Sequence, residues 1–354
     1  MSNGRYDYID IAKGLGILCV VWAHILVTGS SHRLIYAFHM PLFFLLSGML
    51  FSPEKYPSFV SFVIRRSKRL LIPYVAYSVI TWCLWVAFRC LRHDAVDSYL
   101  MPLLQTFIAQ GSGAFLIHNS ALWFIPCLFL VEILYFFISK LGRWWCLIVC
   151  FACSILSFIL GALFKESYWL MLPWNADAAL IALPFYCIGN DWAMLLGHKR
   201  AVRLANEKCS LFVLVGVILF IILYWSSTRF GECSMGSSSY GCQPWVFMLR
   251  AFVGCAFAVC LSLVLSVEKI STRDHLVIIN YLKWAGINSL DIMCLHIPVK
   301  GICMIGVAFL LHTTVEVIGD NGLFALYAFI PTMAILWLII RLFPVATITQ
   351  KLFN

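Results

Sequence analysis

Charged residues are scarce in this sequence. Only 12% of the 354 residues are charged, whereas a soluble domain carries about 25%, and 62% are hydrophobic. Apolar segments recur from end to end with no soluble block between them, which excludes a string of soluble domains. The composition therefore predicts an all-α integral membrane protein with a single transmembrane domain over residues 1–354.

Long polar stretches are also few, and the apolar runs between them have the length of membrane-crossing helices. A helix needs about 17 to 25 apolar residues to span a bilayer. Ten segments come near that length, and they cover residues 9–28, 34–51, 70–89, 121–139, 144–164, 176–196, 209–226, 245–267, 287–311 and 322–342. In the longest non-apolar interval, residues 99–108 predict a short interfacial or re-entrant helix. The sequence thus predicts a bundle of about ten transmembrane helices.

The basic residues are spread through short loops rather than gathered on one surface. The net charge of +9 therefore does not indicate a nucleic-acid partner. With the N-terminus inside, seventeen Lys and Arg residues fall on the inner side and seven on the outer side. This positive-inside bias predicts that both termini are cytoplasmic. The first span lacks a cleavage-like small-residue site, so we expect a retained helix rather than a signal peptide.

Three polar residues stand in the first span, YIDIAKGLGILCVVWAHILVT: Asp10, Lys13 and His24. Dehydrating such groups costs several kcal/mol, so each is expected to have a partner or a task. On a helix, eleven positions separate Lys13 from His24 by about 16 Å along the axis but only about 20° around it. They share a face. The pattern favours a path from the membrane edge to an imidazole deep inside the bilayer.

A second histidine, His39, lies in the second span, AFHMPLFFLLSGML. An antiparallel hairpin between the first two spans brings it to a depth similar to that of His24. A single membrane histidine is usually explained by a hydrogen bond between helices. Two histidines on adjacent helices favour a functional interpretation.

Four cations are packed into the segment FVIRRSKRLLIPY: Arg65, Arg66, Lys68 and Arg69. One interpretation is positive-inside topology with contact to lipid headgroups. The other is a polyanion clamp, because guanidinium groups three positions apart share a helix face and bind phosphates bidentately. The sequence has no GxxxxGK[ST] loop, so any nucleotide ligand is expected to be held by side chains such as these.

Later spans carry isolated polar or aromatic residues. Trp123 suits either an interfacial aromatic belt or a surface for stacking a sugar, and Glu132 calls for a cationic partner or a proton. Asp177, beside Trp174, suits a carbohydrate hydroxyl but is also common at a helix entry. Arg250 is expected to pair with a carboxylate such as Asp177 or to reach outward.

The ninth span begins with polar residues and holds a further histidine. Asn288 or Ser289 is expected to cap this helix, which explains the polar start but leaves His296 unexplained.

Most of the fifteen cysteines lie within spans, where small apolar packing is the expected role. Cys233 and Cys242 differ, because they bracket the loop CSMGSSSYGC on the predicted outer side. An oxidising compartment permits a disulfide there, and the sequence leaves open whether it forms. No metal is predicted.

Six segments in order resemble the membrane acyltransferase-3 family, particularly its polysaccharide and fucose O-acetylase-like members. They are YIDIAKGLGILCVVWAH, FHMPLFFLLSGMLF, RRSKRLLIPY, LWFIPCLFL, LPFYCIG and GINSLDIMCLH. The family has a basic residue and a histidine separated by ten residues, here Lys13 and His24, with lysine in place of the commoner arginine. Its R-x-x-R motif falls on Arg66 and Arg69. Lysine keeps the charge but lacks the planar fork of arginine.

The resemblance implies transfer of an acyl group, usually acetyl, from cytoplasmic acyl-CoA to a hydroxyl of a glycan or lipid-linked saccharide at the other face of a bacterial inner membrane. A hydroxyl needs a base, so His24 is expected either to deprotonate the acceptor or to carry the acyl group itself. Asp10 is expected to hold Lys13. His39, with Ser47 or His296, is expected to orient the site or stabilise the oxyanion.

Two other functions compete with acyl transfer. A transporter or flippase also places His, Asp and Arg along a membrane path, although the two halves show no convincing internal repeat. A noncatalytic scaffold is the third possibility. The sequence identifies neither the acceptor nor the oligomeric state.

Overall fold

The computed structural model describes residues 6–111, 115–163, 172–240, 243–267, 276–343 and 345. Every regular element of any length in these ranges is a helix, as predicted. In chain order the helices are α1 (Asp7–Ile25), α2 (Gly29–Tyr36), α3 (His39–Met49), α4 (Phe59–Leu91), α5 (Met101–Leu104), α6 (Phe124–Ile138), α7 (Arg143–Leu163), α8 (Ala176–Leu195), α9 (His198–Glu207), α10 (Cys209–Arg229), α11 (Pro244–Leu265), α12 (Leu276–Ile287), α13 (Ser289–Leu310), α14 (Val315–Asp320) and α15 (Gly322–Leu342).

Nine helices in the described ranges are long and apolar enough to cross a membrane, one fewer than predicted. The predicted fourth to tenth spans agree with the observed helices to within three residues at each end. The first span ends at Ile25, three residues earlier than expected. The third begins at Phe59, eleven residues early, so the arginine-rich segment is part of the membrane-length helix α4. The cytoplasmic location of the termini and the single domain over residues 1–354 stay predictions.

The prediction of one span over residues 34–51 is wrong. The chain breaks at Ala37 and Phe38, so that α2 and α3 are two short helices of 8 and 11 residues. Pro41 gives the physical reason: its ring clashes with the carbonyl four residues earlier, which belongs to Ala37. In the first turn of α3 the missing N–H of Pro41 costs nothing, so a new helix starts there.

Shorter helices connect the long ones. The predicted short helix over residues 99–108 appears as α5 followed by a 3₁₀ turn at Gln105–Phe107. The amphipathic α9 and the apolar α12 were not predicted.

The chain divides into two compact units. The first comprises Met1–Phe51, Phe185–Ser234 and Tyr240–Ser289, and the second comprises Ser52–Pro184, Met235–Ser239 and Leu290–Asn354.

Glycines hold the helices of the first unit close together. A Cβ on Gly14 of α1 would lie 2.1 Å from the Leu282 carbonyl oxygen of α12, and a Cβ on Gly286 of α12 would lie 1.8 Å from the Asp10 carbonyl oxygen. Small residues at a membrane helix interface let backbones approach in this way. An ion pair between Lys283 Nζ and Asp7 Oδ2, 2.5 Å apart, joins the same two helices. These contacts fix α1, which carries three of the predicted site residues.

The contact of α3 with α8 repeats this arrangement. A Cβ on Gly48 would lie 2.0 Å from the Tyr186 carbonyl oxygen, and one on Gly189 would lie 2.0 Å from the Leu45 carbonyl oxygen. The helix that carries His39 is therefore fixed by a second close backbone contact.

Aromatic rings and buried polar groups join the helices of the second unit. Phe62 of α4 stacks on Phe136 of α6 with ring centroids 4.7 Å apart. The Tyr77 hydroxyl of α4 donates to the buried Asp291 carboxylate of α13. Offset aromatic pairs contribute about 0.5–1.5 kcal/mol beyond the burial of their area, so these contacts order the segment that carries the arginines.

Candidate functional site

Helix α1 carries the polar face predicted in the first span. Asp10 is buried, at 7% exposure, and Lys13 and His24 are half-buried. His24 lies in the last turn of the helix, because α1 ends at Ile25. The depth of His24 in a bilayer stays a prediction.

Tyr36, at the end of α2, contacts three histidines. Its ring centroid lies 6.2 Å from that of His24, 4.2 Å from that of His32 and 4.9 Å from that of His39. The contacts to His24 and His39 are edge-to-face, the arrangement that aromatic quadrupoles prefer. The two histidines that were predicted to act together therefore both contact the ring of Tyr36.

His39 begins α3 and is buried. Its Nδ1 lies 2.8 Å from the Ile35 carbonyl oxygen. A carbonyl only accepts, so Nδ1 carries the hydrogen, and Nε2 of the neutral ring holds the lone pair. Ser47 is half-buried on the same helix, eight residues on, which corresponds to about 12 Å along the axis. The Ser47 side chain is thus at a different level from His39.

His32 and Glu232 lie close to each other beside Tyr36. His32 Nδ1 lies 3.4 Å from Glu232 Oε1, with His32 buried and Glu232 exposed. Burial lowers the pKa of His32, an effect that the Glu232 carboxylate opposes and Arg33 adds to. The desolvated imidazole therefore favours its neutral form.

Two arginines hold α2, and with it Tyr36, in place. Arg33 Nε donates to the Ser227 carbonyl oxygen at 3.1 Å. Arg250 is buried and donates to the carbonyl oxygens of Gly231 at 3.0 Å and Arg33 at 3.3 Å. The expected extension of Arg250 outward is wrong, because the residue is buried and backbone carbonyls accept from its two terminal nitrogens. Its pairing with Asp177 stays a prediction.

Cys233 is buried, with Sγ 3.6 Å from the Tyr36 carbonyl oxygen. Burial raises the pKa of this thiol to about 11, with the nearby Arg250 opposing the change. Cys242 lies outside the described residues, so the disulfide between Cys233 and Cys242 stays a prediction.

In the second unit, the arginine segment differs in exposure, with Arg66 half-buried and Arg65 and Arg69 exposed. Arg66 donates through Nε and Nη2 to both carboxylate oxygens of the buried Glu132. The cationic partner expected for Glu132 is therefore Arg66. Arg65 and Arg69 are exposed and, four positions apart on α4, share a face. Arg65 also lies over the Tyr56 ring, 5.4 Å from its centroid.

Trp123 is buried, with 7% exposure. Its indole lies between two glycines: a Cβ on Gly111 would be 2.8 Å from Cδ1, and a Cβ on Gly236 would be 2.8 Å from Nε1. The ring is a packing element of the second unit, because both of its neighbours are backbone. This surrounding leaves little of the ring for a sugar to stack on.

Asn175 connects the same two loops. It is buried, and its backbone φ is 47°, in the left-handed region that asparagine tolerates better than most residues. Its Oδ1 accepts from the Gly111 amide at 2.8 Å, and its Nδ2 donates to the Gly236 carbonyl oxygen at 2.9 Å. Both partners of Asn175 lie in loops that are distant in the sequence, so its neighbours along the chain do not indicate this role.

Asp177 opens α8 next to this cluster. The Ser238 hydroxyl donates to Oδ2, and the Asp177 carbonyl oxygen accepts from the Ser157 hydroxyl at 2.5 Å. Oδ1 is buried and has no hydrogen-bond partner among the described residues. A buried carboxylate oxygen with an open position suits a hydroxyl donor.

His296 is fully buried on α13, and its Nδ1 lies 2.8 Å from the Met293 carbonyl oxygen. The expected capping by Asn288 takes another form, because its amide donates to the Trp284 carbonyl oxygen of α12 at 2.8 Å. The carbonyl oxygen of Cys294, two residues before His296, accepts from the Asn119 amide at 2.6 Å.

His118, which sequence analysis did not single out, precedes Asn119 and is buried. Within the part of the chain that the structure describes, neither of its ring nitrogens has a hydrogen-bond partner. Burial lowers its pKa to about 4.

The predicted site residues thus form two groups, one in each unit. Asp10, Lys13, His24, His39 and Ser47 belong to the first unit, with His24 and His39 brought together by Tyr36. The arginines, Trp123, Asp177 and His296 belong to the second unit. Tyr36 is the residue that sequence reasoning missed. The only signal was the composition of SHRLIYAFH, where a tyrosine stands within four residues of His32 and His39.

Comparison with known proteins gives a family and two curated relatives. A family model described as an acyltransferase domain matches residues 6–341. The nodulation protein NolL of Mesorhizobium japonicum is 26% identical over 257 residues, covering 65% of this chain and 59% of that protein. The nodulation protein NolL of Sinorhizobium fredii is 24% identical over 241 residues, covering 63% and 58%. The chain thus spans about three fifths of the length of these relatives. No solved structure matches it.

Proposed function

Because the chain belongs to the membrane acyltransferase-3 family, we propose that it is a multi-pass membrane O-acyltransferase that moves an acyl group, chiefly acetyl, from cytoplasmic acyl-CoA to a hydroxyl of a cell-surface glycan or lipid-linked saccharide. The observation that carries this proposal is the family match over residues 6–341. The nine apolar helices in the described ranges support a membrane location, for which we propose a bacterial inner membrane with both termini cytoplasmic.

We assign the base to His24. In the transfer, the acceptor oxygen loses its proton to the imidazole and attacks the thioester carbonyl. The carbon–sulfur bond then breaks, and the proton passes to the departing CoA sulfur. In the relay alternative, an imidazole nitrogen of His24 attacks the thioester carbonyl, the carbon–sulfur bond breaks and CoA leaves as the thiolate. The acceptor hydroxyl then attacks the acyl-imidazole, the carbon–nitrogen bond breaks, and the hydroxyl proton passes to the CoA thiolate. The helix C-terminus beside His24 supports either version, since both develop positive charge on the ring.

The remaining residues of the first unit assist that imidazole. Lys13, on the same face of α1, supplies a point charge for a donor phosphate or carbonyl oxygen, and the buried Asp10 balances that charge. His39 has Nε2 available as an acceptor because Nδ1 donates to the backbone. Ser47 is assigned a secondary, orienting role.

In the second unit, Arg65 and Arg69 are the proposed ligands of the CoA phosphates, because both are exposed and share a face of α4. Arg66 contributes by holding α4 to α6 through Glu132. Asp177, whose Oδ1 has no hydrogen-bond partner among the described residues, is the preferred contact for an acceptor hydroxyl. Trp123 and His296 are buried and are assigned supporting roles. We propose acyl-CoA as the co-substrate and no metal.

The test is acyl transfer from radiolabelled acetyl-CoA by the purified protein in proteoliposomes that contain envelope glycan acceptors. A general base commonly raises the reaction rate about 10²- to 10⁴-fold. His24→Ala is therefore expected to reduce kcat by at least about 10²-fold without changing the affinity for CoA. His93→Asn is the control, because His93 is exposed and asparagine tolerates its φ of 54°. Near-normal transfer by His24→Ala excludes the assignment. Trapping label on His24 in the absence of acceptor separates the relay from direct transfer.

A further inference from the structure

An apolar groove of about 490 Å³ runs along the first unit. Leucine, valine, isoleucine, phenylalanine, methionine, tryptophan, alanine and cysteine side chains from α3, α8, α10 and α11 line it, and none of its described lining residues carries a charge, an amide or a hydroxyl group. Its volume is within the range of about 300–1,000 Å³ that is typical of ligand sites.

The groove is open to the surroundings of the protein. Leu211 and Val215 of α10, two of its lining residues, are 49% and 40% exposed. Ala256 of α11 lines the groove and is also exposed. Both helices have the length and composition of membrane spans, so the opening faces hydrocarbon. An entirely apolar lining at that position suits an acyl chain.

The groove lies in the half of the unit nearest α9. It includes Trp192 near the end of α8 and Leu211 near the start of α10, and α9 is the segment that connects these two helices. Leu263, near the end of α11, also lines it, and α9 packs against both α10 and α11. One end of the apolar groove therefore lies at the level of α9.

Helix α9 presents positive charge at that end. Ala201 and Ala205 are buried and fix the inner face of the helix. Lys199, Arg200 and Arg203 are exposed on the opposite side, where positions 199, 200 and 203 fall within about 100° of one another. Glu207 lies 3.8 Å from Arg203, but both side chains are more than half exposed, so this pair is weak and leaves the surface cationic.

We propose that this groove and the cationic face of α9 form a binding site for one anionic phospholipid, with an acyl chain in the groove and the phosphate headgroup on Lys199, Arg200 and Arg203. The charge of the headgroup complements that of α9, and the positive-inside bias puts α9 in the cytoplasmic leaflet, which is rich in anionic lipid. This inference concerns a site separate from the acyl-transfer residues and does not depend on the proposed function.

The experiment measures lipid retention by native mass spectrometry on the full-length protein, delipidated in detergent and titrated with dioleoyl phosphatidylglycerol or dioleoyl phosphatidylcholine. We expect one phosphatidylglycerol per chain, bound at least about tenfold more tightly than phosphatidylcholine. The reason is that each cation of α9 adds to the attraction for an anionic headgroup. Equal affinity of the wild-type protein for the two lipids overturns the headgroup assignment.

Two variants and a control separate the two parts of the site. K199Q/R200Q/R203Q is expected to lose the preference for phosphatidylglycerol but keep the weaker binding of both lipids. Ala256→Phe fills the groove from an exposed position and is expected to lose binding of both lipids. Ala256→Leu adds a smaller side chain and is expected to weaken binding of both lipids less. K55Q/K140Q/R143Q removes three exposed cations of the second unit and is expected to leave the preference unchanged. Retention of phosphatidylglycerol by Ala256→Phe overturns the assignment of the groove.

Discussion

Both carboxylate oxygens of Glu132 accept hydrogen bonds from the guanidinium group of Arg66. The Glu132 side chain is 1% exposed and that of Arg66 is 15% exposed, so the pair is removed from water at α6 and shielded at α4. One arginine of the R-x-x-R motif therefore has a structural partner, and the other, Arg69, is exposed. The two residues are expected to respond differently to substitution.

Glu132→Ala is expected to lower the free energy of unfolding by about 3–5 kcal/mol, because it leaves the Arg66 charge without its buried partner. Removing both partners, as Arg66→Leu with Glu132→Leu, should cost less than either single change, since no uncompensated charge remains. Urea unfolding in detergent, read by tryptophan fluorescence, provides the measurement. Arg69→Gln is the matched control and is expected to alter CoA affinity without altering stability. Additive effects of the two leucine substitutions contradict the pairing.

Tyr36→Ala is expected to reduce kcat/KM for acyl transfer by at least about tenfold, since two ring contacts worth about 0.5–1.5 kcal/mol each cease to fix His24 and His39. Tyr36→Phe keeps the ring and its edge-to-face contacts, so it is expected to retain most of the activity. Steady-state transfer rates and the melting temperature are measured together. A Phe variant as impaired as the Ala variant shows that the hydroxyl group, and not the ring, is needed.

Seven of the ten spans could be predicted closely because each is a long apolar run bounded by polar residues. The length of such a run is enough to identify a membrane-crossing helix. The second could not be predicted from hydropathy, because α2 and α3 read as one apolar run. The break depends on the clash of the Pro41 ring with a carbonyl, a signal that is present in the sequence but is local. The amphipathic α9 was not predicted, because a short segment rich in basic residues is also typical of a loop between two spans.

The sequence predicted which types of residue the candidate site contains better than it predicted which residues contact one another. The dehydration cost of Glu132 required a cation, yet three arginines and a lysine were available in one segment, and only the packing of α4 on α6 selects Arg66. The association of His24 with His39 followed from two adjacent helices. Tyr36 as the residue between them depends on the turn after α2, which the wrong second span concealed.

Gly14→Ala tests the close contact of α1 with α12. The added Cβ would lie 2.1 Å from the Leu282 carbonyl oxygen, so the helices must separate, at a cost of about 1–3 kcal/mol in the free energy of unfolding. Gly306→Ala on α13 is the control, because nothing lies within 4 Å of its Cβ, and alanine there is expected to be neutral or stabilising by up to about 1 kcal/mol. Thermal unfolding in detergent compares the two variants. Equal effects contradict the close approach.

The buried His118 gives the protein a pH-dependent stability. Burial lowers its pKa to about 4, so the folded protein keeps this imidazole neutral while the unfolded chain takes up a proton near pH 6.5. The free energy of unfolding is therefore expected to be unaffected by this group above that pH, and to fall by about 3 kcal/mol as the pH drops from 7 to 4. Chemical unfolding at a series of pH values measures the slope, which His118→Asn is expected to reduce. His93→Asn, at an exposed position with a φ of 54° that asparagine tolerates, is expected to keep the wild-type slope. Identical slopes for the wild-type protein and His118→Asn contradict a desolvated imidazole at this position.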